Sequence, residues 1–134
     1  MNDWNHKQPP FNRHLGVNIA EWKEGYVVLE AEVLPEYCNN SEIAHGGFIS
    51  SLIDMATGHS GLFCEDPNRV RKALTLSLNL NFIGQASGTK LKVVGEVTGR
   101  GRKIYYSKAK VFDETNTLIA SGQAVCRYRT GSES

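Results

Sequence analysis

Between Phe48 and Phe63 apolar side chains recur at helical spacing, and this is the only long stretch of the chain that they occupy in that way. Phe48, Leu52, Met55, Ala56, His59, Leu62 and Phe63 fall on one face, while Ser50, Asp54, Thr57, Gly58 and Gly61 occupy the other. Beyond it the period drops to two. Leu74, Leu76, Leu78, Leu80 and Phe82 alternate with Thr75, Ser77, Asn79 and Asn81, which predicts a half-buried strand. Segments 91–98, 103–113 and 118–129 follow as β-rich stretches, and the short breaks at 84–88, 99–101 and 113–116 predict an antiparallel meander from this strand onward. Upstream, 16–21 and 26–33 predict a hairpin around Lys23-Glu24-Gly25, after a short helical turn at 11–15. One helix must therefore cover an antiparallel sheet of about six strands, an α+β arrangement. A helix of this length spans roughly 25 Å and can lie across much of one face.

The chain has 134 residues, enough for one domain and too few for two. We place that domain at 11–129 and predict flexible termini at 1–10 and 130–134. A formal net charge of +1 gives no global attraction for nucleic acid or an anionic membrane. No segment has the apolar length of a membrane span or the pattern of an export signal. Cys38, Cys64 and Cys126 cannot all pair and lack metal-knuckle spacing, which predicts a reduced, cytoplasmic setting without a metal or other cofactor.

The chemistry concentrates in His45-Gly46-Gly47 and Asp54. The first N–H groups of a helix lack intrahelical partners, and the helix dipole adds positive charge there. With no side chain at Gly46, a carbonyl oxygen that becomes negative during reaction can receive its amide directly, which makes an oxyanion site. The Asp54 carboxylate can complement it as a general base toward water or as a nucleophile, and acyl transfer is the reaction class that uses both. The bland alternative is a tight helix start followed by a solvated Asp, with His45 hydrogen-bonded to the loop around Asn39 and Asn40.

Asn39, His45-Gly46-Gly47 and Asp54, set in this order of elements, resemble the hotdog-fold acyl-CoA thioesterases, within them the PaaI-like group near the 4-hydroxybenzoyl-CoA thioesterases. Asn40-Ser41-Glu42 departs from the Gly-containing turn usual in that group between the Asn and the His. The resemblance runs from about Phe11 to Arg129 and implies a sheet wrapped around one long central helix. It implies that the Gly46 amide polarises the thioester carbonyl, and that Asn39 and His45 hold that carbonyl or order the loop. Asp54 would activate water or attack, and Thr75 would orient the water.

Gly46 and Asp54 are eight residues apart, hence about 12 Å along one helix axis, so both cannot serve one carbonyl. This predicts a homo-oligomer, a dimer or a dimer of dimers. Each site would take Gly46 and Asn39 from one subunit and Asp54 and Thr75 from another. Cations for the coenzyme A phosphates are sought first at Arg100, Arg102 and Lys103 and second at Arg69-Val70-Arg71-Lys72, with a solvated hairpin rim as the alternative for the first set. Phe48, Leu62, Phe63 and Phe82 are candidates for an acyl pocket or, more simply, for core. A hotdog-fold hydratase lacks its usual helix-start pattern here. A non-catalytic acyl-CoA regulator would have no need of Asp54. Asp54 and His59, five apart, point to different sides of a helix, which disfavours a metal site with His45 and Cys64.

Overall fold

A computed structural model describes residues 4–134. Two short helical pieces, Asn5–Lys7 and α1 (Pro10–His14), precede the hairpin of β1 (Asn18–Lys23) and β2 (Tyr26–Glu32). The long helix α2 (Gly46–His59) follows, and then β3 (Ala73–Phe82), β4 (Lys90–Arg100), β5 (Ile104–Asp113) and β6 (Leu118–Tyr128). The six strands form one antiparallel sheet in the order β1-β2-β4-β5-β6-β3. It curls around α2, which packs against β2 to β6.

The inner sides of the strands and the helix make one core: Val27, Leu29, Leu52, Ile53, Leu91, Val93, Val111 and Ile119 are all fully or almost fully buried. The helix approaches so closely that a Cβ at Gly95 on β4 would lie 2.5 Å from the Ala56 carbonyl oxygen. A glycine at that strand position is what permits the backbone contact. α2 ends at His59, four residues before the expected Phe63. Gly61 lies too close to the Tyr105 ring for any side chain, with a Cβ at 2.5 Å. Thr57, expected on the open face, is fully buried and donates its hydroxyl to the Ile53 carbonyl at 2.9 Å.

Two expectations for β3 require correction. It does not continue into β4 as a meander but pairs with β6. It is also an edge strand, not half-buried: Leu74, Leu76 and Phe82 are 48%, 56% and 57% exposed. A β-bulge breaks its alternation. Thr75 pairs with Cys126 and Ser77 with Val125, which leaves Leu76 without an opposite residue. The helix-facing side therefore passes from Thr75 to Leu78 and Leu80.

Both described termini make contacts with the rest of the chain. Lys7, 5% exposed, donates from Nζ to the carbonyls of Cys64 at 3.0 Å and Asp66 at 2.8 Å. Trp4 packs edge-on against Trp22. At the other end, Arg71 Nε donates to the Ser132 carbonyl, and the Ser132 hydroxyl accepts the Lys72 amide. Met1–Asp3 lie outside the described residues.

Candidate active site

The segment before α2 is shaped by Asn39. Its Oδ1 accepts the Ser41 amide at 2.9 Å and the Ile43 amide at 3.4 Å, and its own N–H donates to the Ile43 carbonyl at 2.9 Å. Glu42 closes this loop with a φ of 62°. Of its two expected roles, Asn39 performs the ordering of the loop. His45 then caps the helix: its N–H donates to the Tyr37 carbonyl at 2.8 Å, and Nδ1 accepts the Gly47 amide at 2.8 Å, which leaves the ring proton on Nε2. Phe48 and Ile49 donate to the His45 carbonyl at 3.0 and 3.1 Å. The Gly46 N–H is thus the one amide of the first turn without a partner among the described residues. It stands at the positive end of the helix dipole, as an oxyanion donor must. The ring of Phe82 lies over it, 3.2 Å from where a Cβ would be.

Two turns further on, Asp54 is exposed and its Oδ1 accepts the Thr75 hydroxyl at 2.8 Å. The bulge makes this bond possible by turning Thr75 toward the helix. No cation lies within ion-pair distance of Asp54 among the described residues, so its carboxylate remains available to take a proton from water or to attack. Beside the pair, Cys126 is fully buried. Desolvation pushes its thiol pKa up, hydrogen bonds to Tyr105 and Thr75 oppose that, and the nearby Asp54 charge adds to it. A buried thiol held protonated is a wall, not a nucleophile.

Asp54 and Thr75 open onto a cavity of about 610 Å³ that does not include Gly46. His45 and Gly47 border a shallow cleft with Tyr37 and Phe48, whose lining shares Phe11 and Ser51 with the cavity. Gly46 lines neither of the two. His59 and Leu62 contribute to the larger cavity, so Asp54 and His59 reach one space from two sides of α2. No cluster of three or more His, Cys, Asp or Glu that could hold a metal ion occurs among the described residues. The wall missed by sequence reasoning is the segment His6–Asn12. Its signal was the Pro9-Pro10 pair, which starts α1 and fixes the chain's direction.

The expected phosphate cations separate. Arg100 is paired with Glu24 at 2.6 Å, and Arg100, Arg102 and Lys103 lie at the β4–β5 turn away from this cavity. Arg71 and Lys72 of the second set line it, together with Arg129. Phe48 is buried and stacked on Tyr37, and Phe63 packs edge-on against Trp22, so both are core.

The family model of the thioesterase superfamily matches residues 42–120, which include the helix start, Asp54 and Thr75. The chain belongs to the thioesterase superfamily. It is a thioester hydrolase with the hotdog fold. An Archaeoglobus fulgidus protein provisionally named an esterase is 30% identical over 135 residues, covering 99% of this chain and 83% of that protein. The medium/long-chain acyl-CoA thioesterase YigI of Escherichia coli is 26% identical, covering 86% of this chain and 83% of that one. Among solved structures, the E. coli PaaI protein of the phenylacetic acid degradation operon superposes with a TM-score of 0.82 at 18% identity, covering 95% of this chain and 89% of that one.

Proposed function

We propose that this thioesterase hydrolyses acyl-CoA, with an aryl or a short- to medium-chain acyl group, to the free acid and coenzyme A, and that its site is shared between two copies of the chain. The observation that carries this is the pairing of Thr75 with Asp54 at 2.8 Å on a cavity whose lining does not include Gly46, with its unpartnered amide. The name of the YigI relative supports coenzyme A as the thiol. In the proposed reaction Gly46 of one subunit donates to the thioester oxygen. Asp54 of the other removes a proton from water, which adds to the carbonyl carbon, or attacks that carbon itself before water releases the acid. Thr75 holds the carboxylate, and sulfur leaves as the thiol of coenzyme A. His45 and Asn39 build the Gly46 end.

The free edge of β3, with Leu74 and Leu76 exposed and the half-exposed Phe82 ring over the helix start, supplies the surface through which a homodimer pairs, and further association of dimers is compatible with it. Lys72 and Arg129, which line the cavity beside Thr75, are the cations best placed for coenzyme A phosphates, and Arg100, Arg102 and Lys103 would serve only from a neighbouring copy. The free thiols of Cys38, Cys64 and Cys126 fit a cytoplasmic setting. Among the described residues no helix is long and apolar enough to cross a membrane.

Thiol release across an acyl-CoA panel tests the reading. The parent should turn over at least one class, and Asp54→Ala should lose about 10²–10⁴-fold in kcat. An Asp54→Ala enzyme as fast as the parent ends this assignment.

A further inference from the structure

Lys7 and Arg71 are the cationic chains that the described fold buries, at 5% and 7% exposure, and both line the cavity onto which Asp54 opens. Buried charges are ordinarily paired with an opposite charge. Neither of these is. The one ion pair among the described residues joins Arg100 to Glu24, away from this cavity. The acids beside them in the chain are turned to other partners: Asp66 Oδ1 accepts the Asn68 amide, and Glu133 Oε1 accepts that of Ser132.

What holds the two cations is a set of carbonyls, most of them just past the C-terminal end of α2. Lys7 Nζ donates to Cys64 at 3.0 Å and to Asp66 at 2.8 Å, which leaves one of its protons over. Arg71 Nη1 donates to the adjacent carbonyl, that of Phe63, at 3.2 Å, and Nε donates to that of Ser132 at 2.9 Å. The guanidinium carbon stands 4.7 Å from the centre of the Tyr128 ring. Nη2 has no partner among the described residues, yet it is not sealed inside the protein, so this edge of the guanidinium opens on the cavity. Asn12, 3% exposed in the same lining, brings an amide with no side-chain hydrogen bond among the described residues.

Carbonyls are dipoles, not counter-charges. The end of α2 adds a partial negative charge of about one half against two cations, and its influence fades within a turn. A clamp that only fastened the loop would need donors alone, and neutral donors would satisfy the same carbonyls without burying charge. We infer that this end of the cavity is a binding site for an oxyanion, a carboxylate or a phosphate, received by Arg71 Nη2, the remaining Lys7 proton and the Asn12 amide. The loop that holds it leaves α2 at His59, about 7.5 Å along the axis from Asp54. It is distinct from Lys72 and Arg129, which are exposed. Such an anion reaches the site either as a free ion or as a carboxylate on the distal end of an acyl group.

Binding is read first without any thioester, so that it is independent of the proposed hydrolysis. Inorganic phosphate titrated at constant ionic strength should raise the Tm of the parent as a single site does, by about 3–7 °C at about ten times its Kd. Lys7→Met and Arg71→Gln should lose this rise, and Lys72→Met should keep it. Hydrolysis of adipyl-CoA and hexanoyl-CoA then separates the sources. A parental preference in kcat/KM of about tenfold or more for adipyl-CoA, lost in Lys7→Met, places the anion on the acyl group. Equal rates beside a phosphate response place it on a free ion. A parent whose Tm ignores phosphate and whose rates on the two thioesters are equal overturns the inference, whether or not any variant folds. So does a phosphate response that persists in Lys7→Met or vanishes in Lys72→Met. If no acyl-CoA is hydrolysed, the proposed function falls, and the melting curves still decide this site.

Discussion

Two individually inactive chains should restore activity when combined, if the site is shared. The perturbations are Asp54→Asn, which removes the charge but keeps an oxygen for the Thr75 hydroxyl, and Gly46→Val, which covers the oxyanion amide. Both should fold. A Cβ at Gly46 meets the Phe82 ring at 3.2 Å, and that ring is 57% exposed and free to turn away. Each homodimer should lose about 10²–10⁴-fold in kcat. In a heterodimer one site receives the intact Gly46 of the Asp54→Asn chain and the intact Asp54 of the Gly46→Val chain, while the other site receives both lesions. An isolated heterodimer should thus show about half the parental rate, and random assembly of equal amounts about a quarter, because about half of the dimers are mixed. Differently tagged chains, purified through both tags and assayed by thiol release, measure this. The underlying magnitude is the spacing of Gly46 and Asp54, about 12 Å along α2, against a hydrogen-bond reach of about 3 Å at either end. Mixed dimers that are intact and inert would refute the argument.

Gly95→Ala should be costly, because its Cβ would stand 2.5 Å from the Ala56 oxygen and 2.8 Å from the Ala56 carbonyl carbon, and backbone cannot rotate aside. A loss of about 1–3 kcal/mol is expected, roughly 3–15 °C in Tm, and a thermal melt that matches the parent would show that α2 does not sit this close to β4. Asp113 is held at a pKa of about 2 by the Thr115 hydroxyl and by the amides of Ser87, Thr117 and Thr115. A carboxylate depressed from the unfolded value of 3.8 contributes stability above pH 4 and loses it as pH falls toward about 2. The stability gap between the parent and Asp113→Asn should therefore narrow between pH 4 and 2 in denaturant titrations, and a gap that does not vary with pH would remove Asp113 from this role.

The helix start at Gly46 and the succession of strands along the chain could be read from the sequence because each depends on local rules: a glycine pair before a 3.6-residue period, and period-two runs between turns, whereas Thr75 is singled out only by the family resemblance. What could not be read depends on which neighbour a residue meets. Leu74 to Phe82 alternate perfectly on paper, yet the strand lies at the sheet edge and a bulge at Leu76 divides it. His59 has the pattern of core and is buried, but its lining role emerges only when residues 6–12 fold over α2. Lys7 and Gln8 carry a polar signature that suggests a loose end, and they are buried because carbonyls of distant loops accept their donors. Cations follow the same rule. The run at Arg100 is as basic as the run at Arg69, but Glu24, brought alongside by the β1–β2 hairpin, pairs its first guanidinium.

The bulge at Leu76 connects these observations. Without the bulge, with Leu76 paired like any other strand residue, the parity that sends Leu78 and Leu80 toward α2 would send Thr75 away from it, and Asp54 would lose the hydroxyl that holds its Oδ1. With it, one strand carries a polar residue to the carboxylate and, three and five residues later, leucines into the core. Leu76 itself is left pointing out at 56% exposure beside Leu74, on the free edge. Deleting Leu76 would close the bulge and leave Thr75 opposite Cys126, Ser77 opposite Val125 and Leu74 opposite Arg127, so the Thr75 hydroxyl would still face Asp54. The Leu76 deletion should therefore hydrolyse faster than Thr75→Val. A deletion variant that folds and falls as far as Thr75→Val would show that the pairing of Thr75 with Cys126 does not suffice to place the hydroxyl.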